Sequence, residues 1–380
     1  MRKRTTHPWI FSNQLLKTFG DFEDGDVVDI VTPDNSYIGR GYINRKSKIT
    51  VRLISLEPRN VEQLIKDRIH DAVCRRANFL KSEDACRLIY SEADWLPGLI
   101  VDKYGQYLVI QINTLGMEKL KPVVLQTLIK EIEPAGIYEK SDSSSRKKEG
   151  LEKVCEWVHK SGPELIPYEV NQMKFLADIK GQKTGAFLDQ RMNALLLKNF
   201  ATEKVCLDAF SYTGNFALHL LRFGAKHVTL MDYSERSLQV ASEILRINGF
   251  KKRFETVEAN VFDELRNYES KNRTFDLVVL DPPSFAKSRS SISSAARGHK
   301  EINLRAMRLI RKPGILVSAS CTQVLFRQDF EKILLKAAED NHVELAVLQE
   351  GCQPPDHPVI LSIPETRYLK FIIAEVRRRY

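Results

Sequence analysis

The chain has 380 residues, 43% of them hydrophobic and 28% charged, with a formal net charge of +9. That size allows two or three domains with real cores, and the composition is that of a folded globular protein. The basic excess favours an anionic partner such as nucleic acid. No apolar run reaches the ~20 residues of a membrane span, and "MRKRTTHPWIF" lacks the apolar stretch of a signal peptide. The expectation is therefore a cytoplasmic protein without a membrane partner. Six cysteines stand at 74, 86, 155, 206, 321 and 352. None forms a C-x-x-C pair, so reduced thiols and no metal site are expected.

The first stretch alternates short β-branched runs, "DVVDIV", "YIGRGYI" and "ITVRLI", with the turn-forming "TPDNS" and "NRKSK". It predicts a small β-barrel or sandwich. "PRNVEQLIKDRIHDAVCRRANFL" carries Val61, Leu64, Ile65, Ile69 and Val73 at helical spacing and predicts a linking helix. Three strands are expected in "RLIYSEADWLPGLIVDKYGQYLVIQIN". A helix follows in "MEKLKPVVLQTLIKEI", with Pro122 near its start, and another strand in "AGIYEKS". "DSSSRKKEG" is polar and charged and reads as a flexible loop. The boundaries follow as 1–68 for the barrel with its helix, 69–168 for a small α+β domain, and 169–380 for the rest.

From about residue 171 strands and helices alternate. "KVCLDAF", "HVTLMDY", "FETVEAN", "FDLVVLD" and "GILVSAS" are strands, and "VELAVLQ" and "YLKFIIAEV" complete the set. Alternation predicts an α/β fold with a doubly wound, mostly parallel sheet. Ligands of such sheets bind outside the carboxyl ends of the strands. Asp208 ends the first strand, and "DAFSYTGNFAL" holds one glycine, Gly214, without the G-x-G-x-x-G of a pyrophosphate cradle. Asp232 ends the next strand, 24 residues later, where an acid can bond ribose hydroxyls. Two acids and no phosphate cradle suit S-adenosylmethionine, a cationic nucleoside. Capping aspartates on a bare α/β fold are the competing explanation. Asn260 and Val261, after the third strand, are candidate contacts to the adenine edge and ring.

The fourth strand runs into "LDPPSF". Two prolines there fix the backbone and remove two N–H groups, so Asp281 is held at the crest of the sheet. Pro282 and Phe285 are candidate contacts to a splayed-out base. The fifth strand ends at Ser320-Cys321-Thr322. A thiolate can add to carbon 6 of a pyrimidine and turn carbon 5 into a nucleophile, which an acid beside ring nitrogen 3 assists. Cys321 and Asp281 fit those two roles. Between these strand ends, residues 286–313 hold Lys287, Arg289, Arg297, Lys300, Arg305, Arg308, Arg311 and Lys312 against one acid, Glu301. The first half of this stretch is Ser/Ala-rich and reads as mobile. Lys287, Arg289, Arg297 and Lys300 are candidate contacts to an RNA backbone. Arg308, Arg311 and Lys312 read as a solvated helix face.

With these residues in place, the chain resembles the S-adenosylmethionine-dependent (cytosine-5) methyltransferases of 23S ribosomal RNA that carry a PUA domain. The likeness covers nearly the whole chain. "HPWIF" and "IGRGYIN" look like the PUA barrel, and "YSEADWLPGLIVDKYG" and "GIYEKSD" look like the middle domain. "GQKTGAFLDQR", "LDPPSFAKS", "ARGHKEIN", "SCT" and "PETRYLK" look like the catalytic domain. The resemblance implies a Rossmann-like class I methyltransferase domain with a seven-stranded sheet. It implies Cys321 as nucleophile and Asp281 as the D-P-P acid. Asp208, Phe210, Ser211, Tyr212, Thr213 and Gly214 would form the methionine-side loop, with Asp232 and Tyr233 on the ribose side. Phe187, Gln190 and Arg191 would lie over the cofactor. The implied partner is large-subunit ribosomal RNA or its precursor particle, with a homodimer as a further expectation. Asn260 departs from the family pattern, where Asp is expected, and the segment before His7 is short, so a trimmed first barrel strand is expected. A guanine or uracil methyltransferase, a non-catalytic RNA-binding assembly factor and a nicotinamide-dependent dehydrogenase are the competing readings.

Overall fold

A computed structural model describes residues 7–80, 84–286 and 291–379. The chain forms two compact units, Met1–Leu188 with Pro355–Thr366, and Asp189–Pro354 with Arg367–Tyr380. In the first unit, β1 (Trp9–Phe11), β2 (Val27–Val31), β3 (Tyr37–Ile43) and β4 (Ile49–Ser55) form an antiparallel sheet in the order β1-β4-β3-β2. The three-residue β1 is the first strand among the described residues. Helix α1 (Val61–Leu80) turns Leu64, Ile65, Ile69 and Ala72 inward at the three- and four-residue spacing of one helix face. These side chains share one core with Tyr42 and Ile54 of this sheet and with Cys86, Leu88, Val101, Leu108 and Ile137 of the next.

That next sheet is five-stranded and mixed: β5 (Ala85–Tyr90), β6 (Leu99–Tyr104), β7 (Tyr107–Ile112), β8 (Gly136–Ser141) and β9 (Val154–His159), in sequence order. β7 and β8 are parallel, and the helical pair α2 (Leu115–Lys119) and α3 (Lys121–Ile132) crosses between them. The expected single helix breaks at Leu120, where Pro122 opens α3. The expected flexible loop at "DSSSRKKEG" is instead helix α4 (Ser144–Glu149). Its order is tertiary in origin. Arg146 is buried and bonds Glu118 at 2.8 Å and the carbonyls of Ile112 and Glu152 at 2.6 Å. Glu149 is buried and pairs with Arg52 at 3.0 Å. The hairpin β10 (Leu165–Val170) and β11 (Met173–Asp178) completes this unit.

The second unit opens with α5 (Arg191–Leu195) and then alternates strand and helix: β12 (Val205–Ala209), α6 (Asn215–Arg222), β13 (His227–Asp232), α7 (Glu235–Ile247), β14 (Phe254–Glu258), α8 (Val261–Ser270) and β15 (Phe275–Leu280). It continues with α9 (Ile292–Leu309), β16 (Ile310–Ser320), α10 (Arg327–Asp340), β17 (Val343–Gly351) and β18 (Lys370–Arg378). The seven strands lie in the order β14-β13-β12-β15-β16-β18-β17, with β18 antiparallel to both neighbours. Leu277, Val278, Val279 and Leu280 of β15 are fully buried, as expected of a strand covered on both faces. The Ser/Ala-rich stretch read as mobile is helical from Ile292, because Ala295, His299 and Ile302 of α9 are buried at helical spacing.

Candidate methyl-transfer site

Strand order reverses between β12 and β15, so the carboxyl ends of these two strands flank the switch point of the sheet. Asp208 sits near the end of β12, in register with Val279 of β15, and is fully buried. Its Oδ2 accepts from the Ala217 amide at 3.0 Å, while Oδ1 has no partner among the described residues. Burial, and then the charges of Asp281 and Asp232, push its carboxyl well above the usual range. The chain then turns sharply into α6. Phe210, Tyr212 and Gly214 all take left-handed backbone, with φ of 63°, 46° and 80°. For two aromatic residues that conformation is strained, a state that persists only where surroundings enforce it. A Cβ on Gly214 would stand 3.1 Å from Leu230 and 3.2 Å from Ala241, so the turn needs glycine on both counts.

Asp232 ties this turn to β13. Its Oδ2 accepts from the Tyr212 amide at 2.9 Å and its Oδ1 from the Ser234 amide at 3.0 Å. Around the turn, Ser211 Oγ and Asn215 Nδ2 are buried without partners among the described residues, like Asp208 Oδ1. Three orphaned polar atoms at a strand-end turn are costly unless a ligand satisfies them. An acceptor, a hydroxyl and an amide donor suit the ammonium and carboxylate of an amino-acid moiety, so the residues present fit S-adenosylmethionine. Thr213 is buried in the same turn, and Tyr233 is 65% exposed beside Asp232.

Asn260 caps α8, its Oδ1 accepting from the Phe262 amide at 3.0 Å. Val261 is buried in the sheet–helix core with Leu207, Met231 and Val278. Phe285 lies in an aromatic row, its ring centroid 5.8 Å from Phe262 and 4.7 Å from His299. Burial pushes His299 down to about 4, so it is neutral, and its Nε2 meets Ser320 Oγ at 3.1 Å.

The turns that carry the strand-end acid and thiol meet beyond the paired strands β15 and β16. Asp281 Oδ1 accepts from Gln190 Nε2 at 2.8 Å, and Gln190 Oε1 accepts from Asn193 Nδ2 at 2.7 Å. Gln190 thus holds the acid in place. Cys321 is half-buried, with Sγ 3.9 Å from the carbonyl oxygen of Pro282. Arg191 opens α5 and is buried. Phe187 belongs to the first unit, with the Lys183 ammonium 5.3 Å from its ring centroid. Among the expected RNA contacts, Lys287 and Arg289 lie outside the described residues. Lys300 pairs with Asp340 at 2.7 Å, whereas Arg297 is exposed with no ion pair among the described residues. Arg308 and Arg311 bond Glu269 and Asp276, so they are paired charges on helix and strand surfaces. Sequence reasoning missed Asn193, Asn215, His299 and Lys370. Asn215, His299 and Lys370 lie within motifs singled out in the sequence but were not read as site residues, and Asn193 follows Gln190 by three residues on a helical turn.

No group of three or more His, Cys, Asp and Glu among the described residues could hold a metal ion. No helix among them is long and apolar enough to cross a membrane. Residues 2–56 match the family model of the PUA-like domain, and residues 143–363 that of S-adenosylmethionine-dependent methyltransferases. The chain is 37% identical over 378 residues to ribosomal RNA large subunit methyltransferase I of Shewanella denitrificans, covering 97% of this chain and 95% of that one. It is 35% identical to the protein of the same name from Alteromonas mediterranea, covering 98% and 96%. Its fold matches a solved protein of Streptococcus mutans, described as a SAM-dependent methyltransferase, with a TM-score of 0.84 at 21% identity over 98% and 96% of the two chains. Matches on this scale, over a strand-end turn lined with orphaned polar atoms, place the chain in the family of S-adenosylmethionine-dependent methyltransferases with an N-terminal PUA-like domain.

Proposed function

We propose that the protein methylates carbon 5 of a cytosine in large-subunit ribosomal RNA through a covalent adduct at Cys321. The observation that carries this reading is the placement of Cys321 Sγ against the Pro282 carbonyl, beside the Gln190-held Asp281. The Cys321 thiolate adds to carbon 6, forming a C–S bond and moving the C5–C6 π pair onto carbon 5. Asp281 holds the proton at ring nitrogen 3, which spreads the negative charge of the adduct. Held at the β12 turn, S-adenosylmethionine would supply a sulfonium methyl group for the nucleophilic carbon, the leaving group being the thioether S-adenosylhomocysteine. Loss of the carbon 5 proton to water re-forms the C5–C6 double bond and expels the Cys321 thiolate, and the nitrogen 3 proton returns to Asp281.

The turn from Asp208 to Gly214 is the proposed seat of the methionine part, through Asp208 Oδ1, Ser211 Oγ and Asn215 Nδ2. Asp232 and Tyr233 are the proposed ribose-side residues. The proposed division of labour gives RNA binding to residues 1–68, a supporting role to 69–168, and transfer to 169–380. Names of the relatives support ribosomal RNA as substrate, with Arg297 as the proposed contact among the described basic residues. A cytoplasmic protein acting on the RNA or its precursor particle follows. A homodimer is part of the proposal, which sedimentation tests. The catalytic proposal is tested with RNA containing 5-fluorocytidine. Fluorine cannot leave carbon 5 as a proton does, so a covalent protein–RNA complex should accumulate with wild type and vanish with Cys321→Ala. A complex that persists in Cys321→Ala contradicts the reading.

A further inference from the structure

Lys370 is a buried lysine at the start of β18, in register with Ser320, the residue before Cys321. Its Nζ donates to the Thr322 carbonyl at 2.7 Å and to the Tyr368 carbonyl at 2.6 Å. No carboxylate lies within ion-pair distance of it among the described residues. A buried ammonium is costly without a counter-charge, so lysines with no acid nearby are rarely kept inside a fold. The two carbonyls satisfy hydrogen bonds but supply no charge. The Cys321 sulfur is the anionic partner that this site can develop.

We propose that Lys370 is a positioning residue that holds Cys321 as a thiolate before the pyrimidine arrives. The proposal rests on Cys321 being the attacking group and says what prepares it. The thiol proton leaves to solvent, and the sulfur keeps the electron pair that later forms the bond to carbon 6. A neighbouring ammonium favours that ionisation by direct charge attraction in a poorly solvated pocket. Asp281 stands across on the β15 turn and opposes the thiolate, but Gln190 occupies its Oδ1. His299 on α9 feels Lys370 and is neutral, and Asp189 accepts from the Tyr368 hydroxyl at 2.7 Å. Burial pushes Lys370 down to about 8 while Cys321 raises it, the coupling expected of the pair. With the ammonium half-titrated near that value, thiolate stabilisation is full below it and fades above it.

The test reads the thiol itself. Iodoacetamide alkylation of Cys321 is followed by peptide mass spectrometry as a function of pH, which separates it from the exposed Cys74, Cys155 and Cys352. Lys370→Gln keeps a donor for the two carbonyls and removes the charge, whereas Lys370→Arg keeps the charge. Binding of S-adenosylhomocysteine by calorimetry confirms that each variant is folded. The expected result is an alkylation midpoint raised by about one pH unit in Lys370→Gln, so that the rate at neutral pH falls about tenfold, with the midpoint of Lys370→Arg near that of wild type. Equal midpoints in wild type and Lys370→Gln, or equal shifts in the two variants, would overturn the proposal. Methyl transfer is measured separately. Full activity in Cys321→Ala removes the nucleophile reading and leaves the alkylation result standing on its own.

Discussion

At Asp208, what the fold needs and what the ligand needs point in opposite directions. A buried carboxylate with one orphaned oxygen, facing Asp232 and Asp281, destabilises the ligand-free fold. Asp208→Asn removes the ionisable group at nearly constant volume. Its thermal midpoint without ligand is expected to equal or exceed that of wild type, while affinity for S-adenosylhomocysteine falls at least tenfold, about 1.4 kcal/mol. Calorimetry and thermal unfolding check the two halves separately. Two buried histidines set a second, pH-dependent effect. Burial pushes His219 and His299 down to about 4 from an ordinary 6.5. The folded state therefore holds fewer protons than the unfolded one between those values. Stability is fully present above pH 6.5 and is lost as pH falls through that window toward 4, by on the order of 1–3 kcal/mol for each histidine. Denaturant unfolding across that range should show the loss, and His219→Gln should flatten its slope.

Helix α4 shows where local pattern is a poor guide. "DSSSRKKEG" holds no apolar side chain, and its polarity suggests a loop. Its order comes from Glu118, Ile112 and Arg52, all distant in sequence, which pair with Arg146 and Glu149 inside the fold. Glu149→Gln leaves the nearly buried Arg52 without its counter-charge. A loss of about 3 kcal/mol is expected, read as a lowered denaturation midpoint with unchanged cofactor affinity. The strands ending in Asp208, Asp232, Asp281 and Cys321 were legible because buried parallel strands are continuous apolar runs, and a polar residue at their end stands out. Lys370 was not, because "YLKF" places its lysine in a strand pattern that an exposed lysine fits equally well. Only the pairing of β18 with β16 brings it beside the thiol. Gln190 was legible as a site residue through the family likeness, but its bond to Asp281 needed coordinates.

On the scale of the whole molecule, the chain leaves the second unit at residue 354, contributes residues 355–366 to the first, and returns to form β18. Within the first unit this excursion is anchored. Asp356 accepts from the Arg87 amide at 2.8 Å, and Glu365 meets His7 at 3.0 Å. No composition signal marks such a return. The net charge of +9 sets the other global property. Affinity for RNA should fall with a steep log–log salt dependence, and Arg297→Glu should weaken binding and flatten that slope by about one or two units. A slope unchanged in that variant would remove Arg297 from the interface.

The most direct measurement is nucleoside mass spectrometry of large-subunit ribosomal RNA treated with wild type and with Cys321→Ala in the presence of S-adenosylmethionine. Wild type is expected to yield 5-methylcytidine and the variant none. A methylated guanosine or uridine from wild type, or an undiminished yield from Cys321→Ala, would contradict it.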